Sequence, residues 1–167
     1  GTVGSPDRGN QNSMHDGELV ASGTWKEIVL LGDSPQCEEN CKKFPETAAV
    51  LRSMPEVEQA ASLRLGEALF SLLEPGTVLR PHCGPTNLRL TCHLGLRVPE
   101  GASITCGGIH RAWEEGKCIV FDDSFEHEVA HMGTQARVVL LVNFWHPGIR
   151  KDRWQELIQE VNAASEK

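Results

Sequence analysis

From Gly66 onward the chain breaks into short segments in which apolar and polar positions alternate, separated by clusters of Pro, Gly and Asp. A period of two over short runs is the pattern of strands with two unlike faces, and many such runs in succession indicate an all-β sandwich or barrel. In Leu88-Arg89-Leu90-Thr91-Cys92-His93-Leu94 the period places the leucines and Cys92 on one face and Arg89, Thr91 and His93 on the other. In Ala136 to Phe144 the set Val138, Leu140, Val142 and Phe144 opposes Arg137, Val139, Leu141 and Asn143, so Arg137 begins a largely apolar face. A lone guanidinium there calls for an anionic partner, because an unpaired charge away from water is costly.

Ahead of this β region, Trp25 to Leu31 reads as a strand, and Phe44-Pro45-Glu46 starts a short helix, with Pro45 in its first turn and Pro55 limiting its end. Beyond Asp152, Trp154, Leu157, Ile158 and Val161 recur at helical spacing, which predicts a C-terminal helix packed on the sheet. Residues 1–23 are rich in Gly, Ser, Asn and Asp without any period and read as a disordered leader, leaving 24–167 as one folded domain.

A length of 167 residues suits a single domain with a core of its own. The net charge of −7, without clustered Lys or Arg, argues against nucleic acid as a partner. Six cysteines lack the C-x-x-C pairs of a zinc ribbon; Cys37 and Cys41 either pair or stay reduced, and Cys83, Cys92, Cys106 and Cys118 read as small core residues. No apolar run reaches the roughly 20 residues needed to span a bilayer, so any membrane anchor is expected outside this sequence.

The candidate chemistry lies in two histidines. His82 sits in Arg80-Pro81-His82-Cys83-Gly84-Pro85-Thr86-Asn87, where prolines fix the chain on both sides and Gly84 permits close approach to the backbone. His127 follows the acidic turn Phe121-Asp122-Asp123-Ser124-Phe125-Glu126. Each alone is an ordinary strand-end histidine. Together with Arg137 they provide imidazoles for a metal and a cation for an oxoacid, the needs of a non-haem iron oxygenase. Gly84 stands where a 2-His-1-carboxylate triad would carry Asp or Glu. Of the other histidines, His15 falls in the leader, His110 in a loop, His131 in a polar turn, and His146 before Pro147 is a reserve site residue; His93, sharing a face with Arg89, suits hydrogen bonding to an anion.

Phe70-Ser71-Leu72-Leu73-Glu74-Pro75-Gly76-Thr77, HCGPTNLRLTCHLGL from His82, Trp113-Glu114-Glu115-Gly116-Lys117, FDDSFEHEV, Arg137 and Trp145-His146-Pro147 occur in this order. The set resembles the catalytic domain of the aspartyl/asparaginyl β-hydroxylase family, and within it the aspartate β-hydroxylase domain-containing proteins, from about Trp25 to Pro147. The resemblance implies a mainly β, double-stranded β-helix (jelly-roll, cupin-like) with a short N-terminal helix and a C-terminal helix. It also implies Fe(II) and 2-oxoglutarate as cofactors, and hydroxylation at the β-carbon of Asp or Asn in a protein substrate such as an epidermal-growth-factor-like (EGF-like) domain. By the same resemblance His82 and His127 are the metal ligands, Arg137 and Ser71 hold the distal carboxylate of 2-oxoglutarate, and His93 lies near its metal-binding end. Arg89 is a substrate-side arginine, and Asp123 a carboxylate that orients metal-bound water. Gly84 then conforms to a family that dispenses with the carboxylate ligand.

Relatives are single-pass membrane proteins with this domain on the lumenal side of the endoplasmic reticulum, so the same location is expected here. Thr91 departs from the characterised hydroxylase, which is basic at that position, and the helical repeat domain of that enzyme has no counterpart in this sequence. Two other readings stay open: a catalytically weak or inactive metal-binding jelly-roll module, to which Thr91 points, and an iron enzyme that places chloride at the vacant ligand position. The full motif set favours hydroxylation over halogenation.

Overall fold

A computed structural model describes residues 19–165. Ten strands form two five-stranded antiparallel sheets. The first has the order β1 (Val20–Ser22), β4 (Thr77–His82), β9 (His127–His131), β6 (Ala102–Cys106), β7 (Ile109–Ala112). The second has the order β2 (Trp25–Leu31), β3 (Ala68–Leu73), β10 (Arg137–Trp145), β5 (Arg89–Arg97), β8 (Cys118–Phe121). Successive strands from β3 onward alternate between the sheets with few exceptions, and this winding of two facing sheets is the jelly roll. The folded chain begins earlier than residue 24: Leu19 is buried and β1 pairs with β4, so the expected leader is ordered at its end. Residues 1–18, the rest of that expected leader, lie outside the described residues.

The alternation is two-faced for a different reason on each sheet. On β5 the polar set Arg89, Thr91 and His93 is the buried one, whereas Leu90, Cys92 and Leu94 are half-buried on the outside. Both faces of β10 are covered, since its outer residues Leu140, Val142 and Phe144 pack under helices while Val139 points between the sheets. Those helices are three rather than one: α1 (Cys37–Lys43), α2 (Pro45–Arg52) and α3 (Pro55–Ser62). Pro45 and Pro55 each occupy the first turn of a helix, where a missing N–H costs nothing, so Pro55 opens α3 as well as closing off α2. Apolar periodicity is too brief in α1 to announce it.

Cys41, Ala48, Leu51, Val57 and Ala61 from these helices bury Leu30, Leu31, Ala68 and Val142 of the second sheet. Between the sheets, Leu73, Leu79, Ala102, Ile104, Trp113, Val129 and Val139 form one end of the interior and leave the other for polar groups. The C-terminal helix α4 (Trp154–Ser165) docks through Trp154, whose ring stacks on Trp145 at 5.0 Å and 2°. No helix among the described residues is long and apolar enough to cross a membrane.

Three local expectations change. His110 lies in β7, not a loop. His131 ends β9 fully buried, its Nε2 2.6 Å from the Gln135 carbonyl. All six cysteines are free, and Cys83 and Cys118 are exposed rather than core residues.

Candidate active site

A cavity of about 520 Å³ opens between the sheets, and the residues that the family resemblance assigns to the site, Ser71, His82, Arg89, His93, Asp123, His127 and Arg137, line it. His82 and His127 are direct partners across β4 and β9, with ring centroids 4.1 Å apart. Each Nδ1 sits against the carbonyl two residues earlier, at 2.7 Å to Arg80 O and 2.9 Å to Phe125 O. A carbonyl only accepts, so both Nδ1 atoms carry the proton and both Nε2 lone pairs are left for a cation. Burial, with His82 close by, holds the His127 imidazole below its ordinary pKa and so in the neutral form a metal requires. Among the described residues no cluster of three or more His, Cys, Asp or Glu side chains has metal-binding geometry.

The structure gives a steric reason for the missing carboxylate at Gly84. A Cβ built there would lie 2.6 Å from Asp123 Cγ and 2.7 Å from both its carboxylate oxygens. The backbone fixes this approach, because Gly84 N donates to Asp123 O at 2.6 Å. Asp123 Oδ2 in turn accepts from Arg89 Nη2 at 2.7 Å in a pair that is almost wholly buried. Arg89 spends its other amino group on Leu65 O at 2.7 Å, while Asp123 Oδ1 is buried with no hydrogen-bond partner among the described residues.

Arg137, deeper in the same cavity, is the opposite case. It is 2% exposed, and no carboxylate lies within ion-pair distance among the described residues. Its contacts are the Ser71 carbonyl at 3.2 Å, the Ser71 hydroxyl at 3.4 Å and the face of Trp113 at 4.7 Å, with Nε left unbonded. Burial lowers its pKa to about 9, a measure of how poorly the charge is compensated. Such a cation is an anion site awaiting its anion.

Two groups beside it complete a row of donors. Ser71 Oγ accepts from Trp25 Nε1 at 3.0 Å, which frees its own hydrogen. His93 Nδ1 accepts from Trp113 Nε1 at 3.3 Å, so its buried, unpartnered Nε2 carries the hydrogen. Desolvation first, then Arg137 and His127, push the His93 pKa down to about 3, so it donates as a neutral imidazole. Trp25, Trp113 and Asn143 were not assigned roles from the sequence; an indole N–H that must find an acceptor when buried is the signal that points to the first two. His146 lies outside the cavity lining, with Nδ1 accepting from Gly148 N.

Two imidazoles with Nε2 atoms unpartnered among the described residues and an uncompensated guanidinium with neutral donors beside it line one jelly-roll cavity, an arrangement that could hold a metal and an anion together. The sequence profile of the aspartyl/asparaginyl beta-hydroxylases matches residues 4–147, and the chain belongs to that family. The human aspartyl/asparaginyl beta-hydroxylase is 39% identical over 85% of this chain and 18% of its own length. Human aspartate beta-hydroxylase domain-containing protein 2 is 40% identical over 81% of this chain and 37% of its own. Human aspartate beta-hydroxylase domain-containing protein 1 is 42% identical over 78% and 33%. The chain thus spans well under half the length of these relatives. Among solved structures, a cupin domain of an XRE-family transcriptional regulator from Enterobacter cloacae aligns over 73% of this chain and 97% of that one, at 9% identity and a TM-score of 0.47.

Proposed function

We propose that the domain is an Fe(II)- and 2-oxoglutarate-dependent dioxygenase that hydroxylates the β-carbon of Asp or Asn in a protein substrate such as an EGF-like domain. The observation that carries this reading is Arg137: a buried cation with no carboxylate partner among the described residues, in the same cavity as two imidazoles whose Nε2 atoms have no partner among those residues. The donor set fits a hard dicarboxylate beside a borderline divalent metal.

The chemistry supplied by bound Fe(II) is oxidative decarboxylation of 2-oxoglutarate by O₂, giving succinate, CO₂ and one oxygen atom for insertion into a C–H bond. His82 and His127 hold the metal, each ring oriented by a carbonyl on Nδ1. Arg137 and the Ser71 hydroxyl receive the far carboxylate of the cosubstrate, and His93 Nε2–H donates to an oxygen nearer the metal. Trp113 fixes the donors by stacking under Arg137 and locking the His93 tautomer. Asp123, pinned by Arg89 and Gly84, keeps Oδ1 available and would accept a hydrogen bond from a water held in the cavity. By family likeness the domain works in the lumen of the endoplasmic reticulum, tethered by a membrane segment outside this sequence.

Incubation with Fe(II), 2-oxoglutarate and an EGF-like peptide should release succinate and add about 16 Da to the peptide. Metal binding with neither product would instead identify the metal-binding module without turnover that Thr91 raised as the alternative.

A further inference from the structure

In the β5–β10 register the inward residues between Arg137 and Arg89, namely Val139, Leu141, Asn143, His93 and Thr91, carry no charged side chain, while the carboxylates Glu27, Asp33 and Glu67 also line the cavity. The inward residues of β5 are Arg89, Thr91 and His93, and Thr91 faces Asn143 directly across the β5–β10 ladder. Asn143 is immobilised: its Oδ1 accepts from Glu67 N at 3.0 Å, its own N–H donates to Glu67 O at 2.8 Å, and Gly66 packs on its Cβ so closely that no other residue fits there. The backbone donor fixes which end of the amide is oxygen, so Nδ2 necessarily donates to Thr91 Oγ1, at 2.8 Å. Thr91 has therefore spent a lone pair and keeps its hydroxyl hydrogen, while Asn143 keeps its second N–H.

The cationic side chains lining this cavity are Arg89 and Arg137. Arg89 is neutralised by Asp123 and Leu65 O, and Arg137 is the group that the cosubstrate needs. A carboxylate brought to the middle of the cavity would meet neutral donors and no unpaired cationic side chain among the described residues, and would lose its water without an ionic partner from the protein. A carboxamide meets the same hydroxyl and N–H with nothing uncompensated.

We infer that Thr91 and Asn143 set the substrate class of this site, selecting a residue with a neutral carboxamide side chain, asparaginyl, over the isosteric aspartyl carboxylate. The inference rests on the hydroxylase reading above. Asn for Asp is a near-isosteric exchange, so the discrimination is electrostatic, and a site lacking the counter-charge rejects the ion by far more than shape alone would.

The test uses the protein with Fe(II), 2-oxoglutarate and two EGF-like peptides that differ only in Asn or Asp at the acceptor, with hydroxylation read by mass. Peptide affinity is read in parallel without O₂. At pH 7.5 the Asn peptide should be hydroxylated at least tenfold faster and bind more tightly. Thr91→Arg supplies the missing cation and should lower the Asn-to-Asp ratio by at least tenfold. If that variant fails to fold, Thr91→Val serves: it removes the hydroxyl at nearly constant shape and should weaken the Asn peptide several-fold without admitting Asp, while Thr91→Ser keeps the wild-type preference. Equal or faster use of the Asp peptide overturns the selectivity and leaves the hydroxylase reading standing. Succinate release and hydroxylation absent with both peptides overturn the hydroxylase reading, and the inference with it.

Discussion

Replacing Arg137 by methionine should weaken cosubstrate binding and stabilise the ligand-free protein at the same time. The guanidinium is buried without a carboxylate partner among the described residues, its hydrogen bonds going to Ser71 and its face lying over the Trp113 ring. Its pKa falls from 12.5 to about 9 through desolvation, a burden on the order of 5 kcal/mol against the charged form. That burden is carried in full at neutral pH, because a guanidinium stays charged when buried and cannot escape the cost by losing its proton. Exchanging unbalanced buried charge for an apolar side chain of similar length returns roughly 1–4 kcal/mol, or at least about 2 °C in Tm for a domain of this size. The same exchange removes charge-assisted hydrogen bonds to 2-oxoglutarate worth about 1.5–3 kcal/mol, raising its KM by roughly 10- to 100-fold. Thermal melts with and without 2-oxoglutarate, beside succinate release over a cosubstrate titration, read both effects. The wild type should gain Tm from 2-oxoglutarate and Arg137→Met should not. A variant that melts lower without ligand and keeps its KM would show that Arg137 is a structural cation, and would refute the argument.

Gly84→Asp should not create a third metal ligand: its side chain must displace Asp123 and break the buried pair with Arg89, costing about 3–5 kcal/mol, which a melt will show beside unimproved metal affinity. Stability should fall as pH drops from 6.5 toward 3, by up to ~1.4 kcal/mol per pH unit from His93, because the unfolded histidine takes up a proton that the native one refuses until about pH 3. Melts of wild type and His93→Gln over roughly pH 4–7 check this, and parallel curves would contradict it. Trp113→Phe keeps a ring under Arg137 and deletes the donor that sets the His93 tautomer. Its 2-oxoglutarate KM should rise by roughly three- to tenfold with kcat less affected, and ¹⁵N spectra should show His93 losing the single Nε2–H form.

Periodicity and punctuation carried much of the fold. Alternation after Gly66 marked the strands, and the spacing of Trp154, Leu157 and Ile158 marked the last helix, since each pattern is the imprint of one covered face. Cys37–Lys43 was illegible because a two-turn polar helix has no apolar stripe, and β1 because three residues are too few to show alternation. The candidate site was readable as a set of residue types: two histidines, a lone arginine on an apolar strand, and a glycine in a ligand position.

What the sequence by itself determined was therefore chemistry and strand phase: which side chains share a face, and that Arg137 lacked a local counter-charge. Tertiary structure alone decided the pairings, because they join residues far apart in the chain. It placed the Asp123 carboxylate in the space a Gly84 side chain would need, joined Arg89 to Asp123, set Trp113 beneath Arg137, and clamped Asn143 onto Thr91. It also turned the polar face of β5 inward, against the usual sense of burial, so that Arg89, Thr91 and His93 line the cavity between the sheets.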